Sequence, residues 1–310
     1  MLYVSTRNKI DSFTAHRTLC SDFTPDNGLF VPYQLPRFTE SEISKCRENT
    51  FSANVCNIIN CFFSAKLTTW DIDLCAGKQP VRIKEMSHRL VMAECYHNPS
   101  GNYSYMEDHL YQKLEGEGAL KQPSRWAKIA IRISFLFGLY TYMPERCANS
   151  FDICVAGDGS TDLMAAFYAK SMGLPIRNII CCCTDNGILW DLIQRGELNT
   201  SVAGADQHFR HVEELIYHRL GVPFVLQLQS AVDKNGVFRL SEEDLSEFSH
   251  RLASAVVGKD RIGDIIRSIK NINNYDVTET AAVCYGGLQD YRAASGDIQD
   301  TLILLDSNPV

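Results

Sequence analysis

Among its 310 residues the chain has no Cys-x-x-Cys pair, no long apolar run and no excess of basic charge. Twelve cysteines are present, and the absence of a Cys-x-x-Cys pair removes the thiol-redox signature. Cys181, Cys182 and Cys183 are consecutive on a predicted strand. They alternate faces, cannot converge on one metal, and are expected to serve as small buried apolar residues. The start, MLYVSTRNK, has no signal-peptide layout; reduced thiols and a cytoplasmic location are the expectation. The longest helical apolar stretch, Ile129 to Tyr140, is too short to span a bilayer and carries Arg132, so no membrane role is expected. With 37 acidic against 30 basic residues the net charge is −7, which argues against nucleic acid as a main partner. A 45% hydrophobic and 22% charged composition is that of a globular protein, and the length suits two domains.

The central stretch is Phe151 to Ile176. Ile153-Cys154-Val155-Ala156 reads as a buried strand, and Gly157 and Gly159 allow a tight turn. Ser160, Thr161 or Asp162 can cap a following helix that carries Leu163, Ala166, Phe167 and Lys170. Gly173-Leu174-Pro175 stops it, and Ile179 to Cys183 is a second strand. This is one βαβ unit of a parallel sheet. The turn Gly157, Asp158, Gly159, Ser160, Thr161 is a candidate anion site, because free N–H groups and the helix dipole meet there. It is equally read as a plain capped turn, since Asp158 and Asp162 would work against a bound phosphate.

This stretch resembles threonine synthase, a pyridoxal-phosphate (PLP) enzyme of fold type II. Ala169-Lys170-Ser171-Met172-Gly173-Leu174-Pro175-Ile176 is similar to the family's Lys-Lys-Met-Gly-Leu-Pro-Ile, and Thr184-Asp185-Asn186-Gly187-Ile188-Leu189 to its Asn-Glu-Asn-Asp-Ile-Leu. The N-terminal block adds Tyr3, Ser5-Thr6-Arg7, Pro25 to Pro32 and Leu35-Pro36, in the family's order. The resemblance implies an α/β fold: a parallel-sheet large domain of the tryptophan synthase β-like (fold type II) PLP enzymes, residues 90–310, plus a small α/β N-terminal domain, residues 1–89. In that N-terminal part Thr39 caps a predicted helix with Glu40 and Glu42 in its first turn, and Phe51, Val55, Ile58, Ile59, Phe62 and Phe63 mark an amphipathic helix.

The departures fall on the chemistry. Leu90 to Glu94 reads as a strand, and Glu94, His97 and Pro99 are in register with the family, but Ser104 stands where the resemblance implies the Schiff-base lysine. Serine has no amine for that bond. Lys113 lies more than two helical turns on, and Lys84 lies upstream. Leu305 stands where the family places a hydroxyl at the pyridine nitrogen, and leucine cannot hydrogen-bond. From Ser104 to Pro123 about twenty residues replace a βα region that holds a substrate loop in the family, too few for more than one crossover. The resemblance thus implies that the small PLP lobe is largely deleted. Pro123-Ser124-Arg125-Trp126-Ala127-Lys128 is similar to the opening of the next long helix, predicted over 124–142 with Ile129, Ile133, Leu136, Phe137 and Tyr140 on one face.

Further helices are predicted over 187–195, 206–220 and 262–272, and from Ser241 through Leu245, Phe248, Leu252 and Val256. His208, His211 and His218 share the second of these and read as a solvated face, with a metal as the minor reading. Tyr275 to Val283 is similar to a further family segment, and Thr301 to Leu305 is an apolar strand. The leading expectation is a threonine-synthase-like pseudoenzyme with no cofactor, acting through a protein partner or self-association. Two rivals are a PLP-dependent lyase acting on O-phosphohomoserine, and a sensor of a small anion or amino acid.

Overall fold

The computed structural model describes the chain except residues 78, 158–160, 185–186, 202–204 and 310 and the side chains of 205–208 and 211. The N-terminal part opens with β1 (Leu2–Ser5), β2 (Phe13–Thr14), α1 (Ala15–Cys20) and β3 (Phe30–Pro32). These strands form an antiparallel sheet in the order β2-β1-β3. The turn into β3 needs its glycine: a Cβ at Gly28 would stand 2.2 Å from Ser5 Oγ. Then come α2 (Glu40–Glu48), α3 (Phe51–Phe63) and α4 (Thr69–Ala76). As expected, Thr39 caps α2, in a capping box closed by Glu42.

The remainder builds β4 (Arg82–Met86), β5 (Leu90–Glu94), α5 (Ser104–Leu114), α6 (Arg125–Tyr140), β6 (Phe151–Ala156), α7 (Thr161–Ser171) and β7 (Ile176–Cys183). It continues with α8 (Ile188–Arg195), β8 (Glu197–Asn199), α9 (Ala205–Leu220), α10 (Val222–Asp233) and β9 (Val237–Arg239). Last come α11 (Glu242–Ser249), β10 (Leu252–Val256), α12 (Lys259–Asn273), α13 (Glu279–Ser295) and β11 (Thr301–Leu305). The central sheet runs β10-β7-β6-β11-β5-β4. Its first five strands are parallel, and β4 pairs antiparallel with β5 at the edge.

Successive strand residues feed opposite faces, as the pleat demands. Val91, Ile153, Cys181 and Leu302 join the core on one face, under α6 and α7, while Met92, Cys154, Cys182 and Ile303 join the other with Val283 and Leu288 of α13. Cys181 and Cys182 therefore point to opposite faces, both buried, as the strand reading requires.

Two predicted elements differ. The long helix is not one-faced: every residue from Ile129 to Tyr140 is buried, because α6 lies between α3 and α7. Leu252 and Val256 are not on a helix; they form β10 against β7. A spacing of four fits one face of a strand as well as one face of a helix, and Arg251, at φ +58°, separates α11 from the strand.

Candidate functional site

In an open parallel sheet, ligands bind beyond the carboxyl ends of the strands, where the strand order reverses. Here the chain runs from β5 to β6, moves outward through β7 and β10, and returns with β11 between β6 and β5. The reversal therefore lies above β5, β11 and β6. The chain's own side chains fill that place.

Arg132 of α6 reaches it from below with a side chain only 4% exposed. Its Nε donates to Asp162 Oδ1 of α7 at 2.6 Å, and its Nη2 pairs with Asp306 Oδ2 just past β11. The guanidinium lies 3.6 Å from the centre of the buried Tyr103 ring. Backbone bonds zip the two flanking loops: Tyr103 N donates to the Asp306 carbonyl at 2.7 Å, Cys95 N to that of Leu305 at 2.8 Å and Asn308 N to that of Gly101 at 3.2 Å. Two carboxylates share one cation, so the triad carries net negative charge. Burial holds the Asp162 carboxyl above the usual range; Arg132 opposes the shift and Asp306 adds to it. Burial likewise raises the Glu107 carboxyl and pushes the Cys95 thiol well up.

The residues singled out from the sequence are placed as follows. Gly157 ends β6 at φ +86°, and its N–H donates to the Cys182 carbonyl at 2.8 Å. Thr161 is the first residue of α7. Asp158, Gly159 and Ser160, the body of the candidate anion turn, lie outside the described residues. Ser104 is exposed at the start of α5, its N–H donating to Asn102 Oδ1 at 2.9 Å. Leu305 is fully buried in β11. Lys113 is turned away to Asp71 at 3.3 Å, and Lys84 is exposed on the edge strand β4. Glu94 joins two blocks of the resemblance: its Oε2 lies 2.5 Å from His97 Nε2, and its Oε1 accepts from Tyr275 OH at 2.7 Å.

Of the three histidines on α9, the side chains of His208 and His211 lie outside the described residues. His218 corrects the expectation of a solvated face. Its ring sits over the buried Tyr168. Tyr168 OH donates to Glu214 Oε1 at 2.6 Å, so His218 Nε2–H donates to the Tyr168 oxygen, 2.7 Å away. Glu214 in turn pairs with Arg125. Burial, with Lys9 and Arg219 nearby, lowers the His218 pKa to about 3, so the ring is neutral. Among the described residues no cluster of three or more His, Cys, Asp or Glu side chains could hold a metal.

The triad was missed from sequence although a signal was present. An arginine inside an otherwise apolar helix is rarely buried unless paired. Its partners stand 30 and 174 positions away, which no local spacing reveals.

Comparison with known proteins agrees with this architecture. Residues 2–78 match the family model described as threonine synthase N terminus. Threonine synthase-like 1 of Mus musculus is 35% identical over 75 residues, covering 23% of this chain and 10% of that protein. Threonine synthase of Eremothecium gossypii is 31% identical over 71 residues, 23% of this chain and 14% of that protein. The chain thus matches only about a tenth of the length of the first of these curated relatives. The whole fold is similar to PLP-bound threonine synthase from Brucella melitensis, with TM-score 0.79, 16% identity, and 100% of this chain and 89% of that chain covered. Yeast threonine synthase gives TM-score 0.79 at 13% identity, over 99% and 87%. No helix among the described residues is long and apolar enough to cross a membrane. Residues 2–78 thus match the threonine synthase N-terminal family by sequence, and the chain as a whole has the fold of the solved threonine synthases.

Proposed function

We propose that this chain keeps the threonine synthase fold without the family's PLP chemistry, and that it acts by binding or by assembly. The observation that carries the reading is the Arg132–Asp162–Asp306 triad at the switch point of the sheet. PLP does not fit the described residues there. Two carboxylates already consume the arginine, and their net negative charge opposes a phosphate. The position matching the family's lysine is an exposed serine, Ser104. Leu305 offers nothing to a ring nitrogen.

A second part of the reading is that the family's smaller lobe is missing. Between β5 and α6 the chain builds one helix, α5, and no strand. Beside α5 lies α4, where Trp70 and Leu74, one turn apart, are 65% and 49% exposed. Exposed large apolar pairs of this kind suit an interface.

The test is a PLP titration of the purified protein, watched for aldimine absorbance, alongside sizing over a range of concentrations. The expected result is no aldimine band and concentration-dependent assembly. A band that borohydride fixes to a lysine would overturn the proposal. Lys128 is the first place to look, because it lines the same groove as Ser104 and Glu107.

A further inference from the structure

Far from the triad, an open cleft of about 980 Å³ lies between the N-terminal sheet and the ends of α7 and α9. Small-molecule sites of this size are mostly apolar walls with a few polar groups, and they favour the seam between structural units. This one lies at such a seam, with a wall more polar than apolar. Leu2, Tyr33, Leu35 and Pro36 come from one side, and Tyr217 and His218 from the other. Tyr33 is 67% and Leu2 53% exposed, so apolar surface is open to a ligand.

The charge of the wall is the informative part. Two cationic side chains, Lys9 and Arg37, line the cleft, and no carboxylate does, in a chain of net charge −7. Among the described residues neither cation makes an ion pair; Lys9 rests over the Tyr217 ring, 5.1 Å from its centre. Other cations nearby are already used: Lys170 donates to the Ile176 and Arg177 carbonyls, and Arg219 to that of His250. The carbonyl ends of α7 and α9 offset part of this positive charge, yet Lys9 and Arg37 come from loops and bond to neither end.

We infer that the cleft binds a small organic dianion, a phosphate monoester with an aromatic or apolar body, through Lys9 and Arg37 with its body against Tyr33, Leu35 and Pro36. The inference deepens the proposal that the chain acts by binding. It uses none of the triad's residues, so its test is independent of aldimine formation.

The experiment is calorimetric titration of the full chain with phenyl phosphate, inorganic phosphate and phenol. Phenyl phosphate should bind tightest and raise the melting temperature, because it would bridge the two parts of the chain. The double variant Lys9→Gln/Arg37→Gln should weaken binding by about 10-fold or more while melting as the wild type does. Lys84→Gln/Lys234→Gln, which removes two exposed cations elsewhere, should bind as the wild type. No heat with phenyl phosphate, equal affinity for all three probes, or equal weakening by both double variants would overturn the inference.

Discussion

Arg132→Met is the sharpest test of the triad. Methionine keeps most of the apolar stem between α3 and α7 and removes the cation that Asp162 and Asp306 share. Breaking a buried ion pair from one side costs about 3–5 kcal/mol, because the partner charge stays behind uncompensated. Here the Asp162 and Asp306 side chains are 24% and 38% exposed, so water relieves part of that cost. The lower end, about 3 kcal/mol, is the expected loss at pH 7 by urea unfolding. At roughly 2–4 °C per kcal/mol this is a fall in melting temperature of about 6–12 °C. The loss should depend on pH. Burial raises the folded Asp162 pKa above its unfolded value of 3.8, so this group's contribution is fully present below that value and is lost as pH rises through the folded pKa. Arg132 holds the shift down; without it the folded pKa climbs further. The variant's deficit should therefore shrink as the pH falls from 7 towards 4. Arg132→Met/Asp162→Leu/Asp306→Leu, which removes all three charges, should recover most of the stability. A single-variant loss below about 1 kcal/mol at pH 7, or a deficit that grows on acidification, would refute the reasoning.

Two other expectations follow from the packing. Gly138→Ala puts a Cβ 2.7 Å from both Phe51 and Val55 of α3; urea unfolding should show a loss of about 1–3 kcal/mol from overpacking the α3–α6 contact. His218 has a folded pKa lowered to about 3 from 6.5, so its contribution is intact above pH 6.5 and is lost as pH falls towards 3. Relative to His218→Gln, the wild type should lose roughly 1 kcal/mol per pH unit across that window.

Local features were legible in the sequence where one residue decides one contact. Thr39 caps α2 because a hydroxyl can satisfy a first-turn N–H. The alternation of Cys181 and Cys182 follows from the pleat alone. Where two periods coincide, the pattern misled: Leu252 and Val256 obey both helix and strand spacing, and only Arg251 and the pairing with β7 decide between them. The antiparallel pairing of β8 with β9 and the helix α10 had no such pattern to announce them. The triad was out of reach for a different reason. Its members are joined only through the sheet order, and Asp162 looked like a helix cap until α6 brought an arginine beside it.

That sheet order also governs the sequence in which contacts can form. β11, the last of the described strands along the chain, stands between β5 and β6, which are formed much earlier. Until it arrives, β5 and β6 are separated by the width of one strand, with two ladders of unpaired N–H and carbonyl groups facing a gap. The middle of the sheet is thus the last part that can close, and it closes through long-range pairing, which is slow. A fragment lacking residues 301–305 would keep its outer strands and helices yet carry two open edges at its centre. Such edges pair with each other in the wrong register or recruit another chain. For this protein, then, the smallest loss of chain near β11 removes the seam that makes one sheet out of two halves.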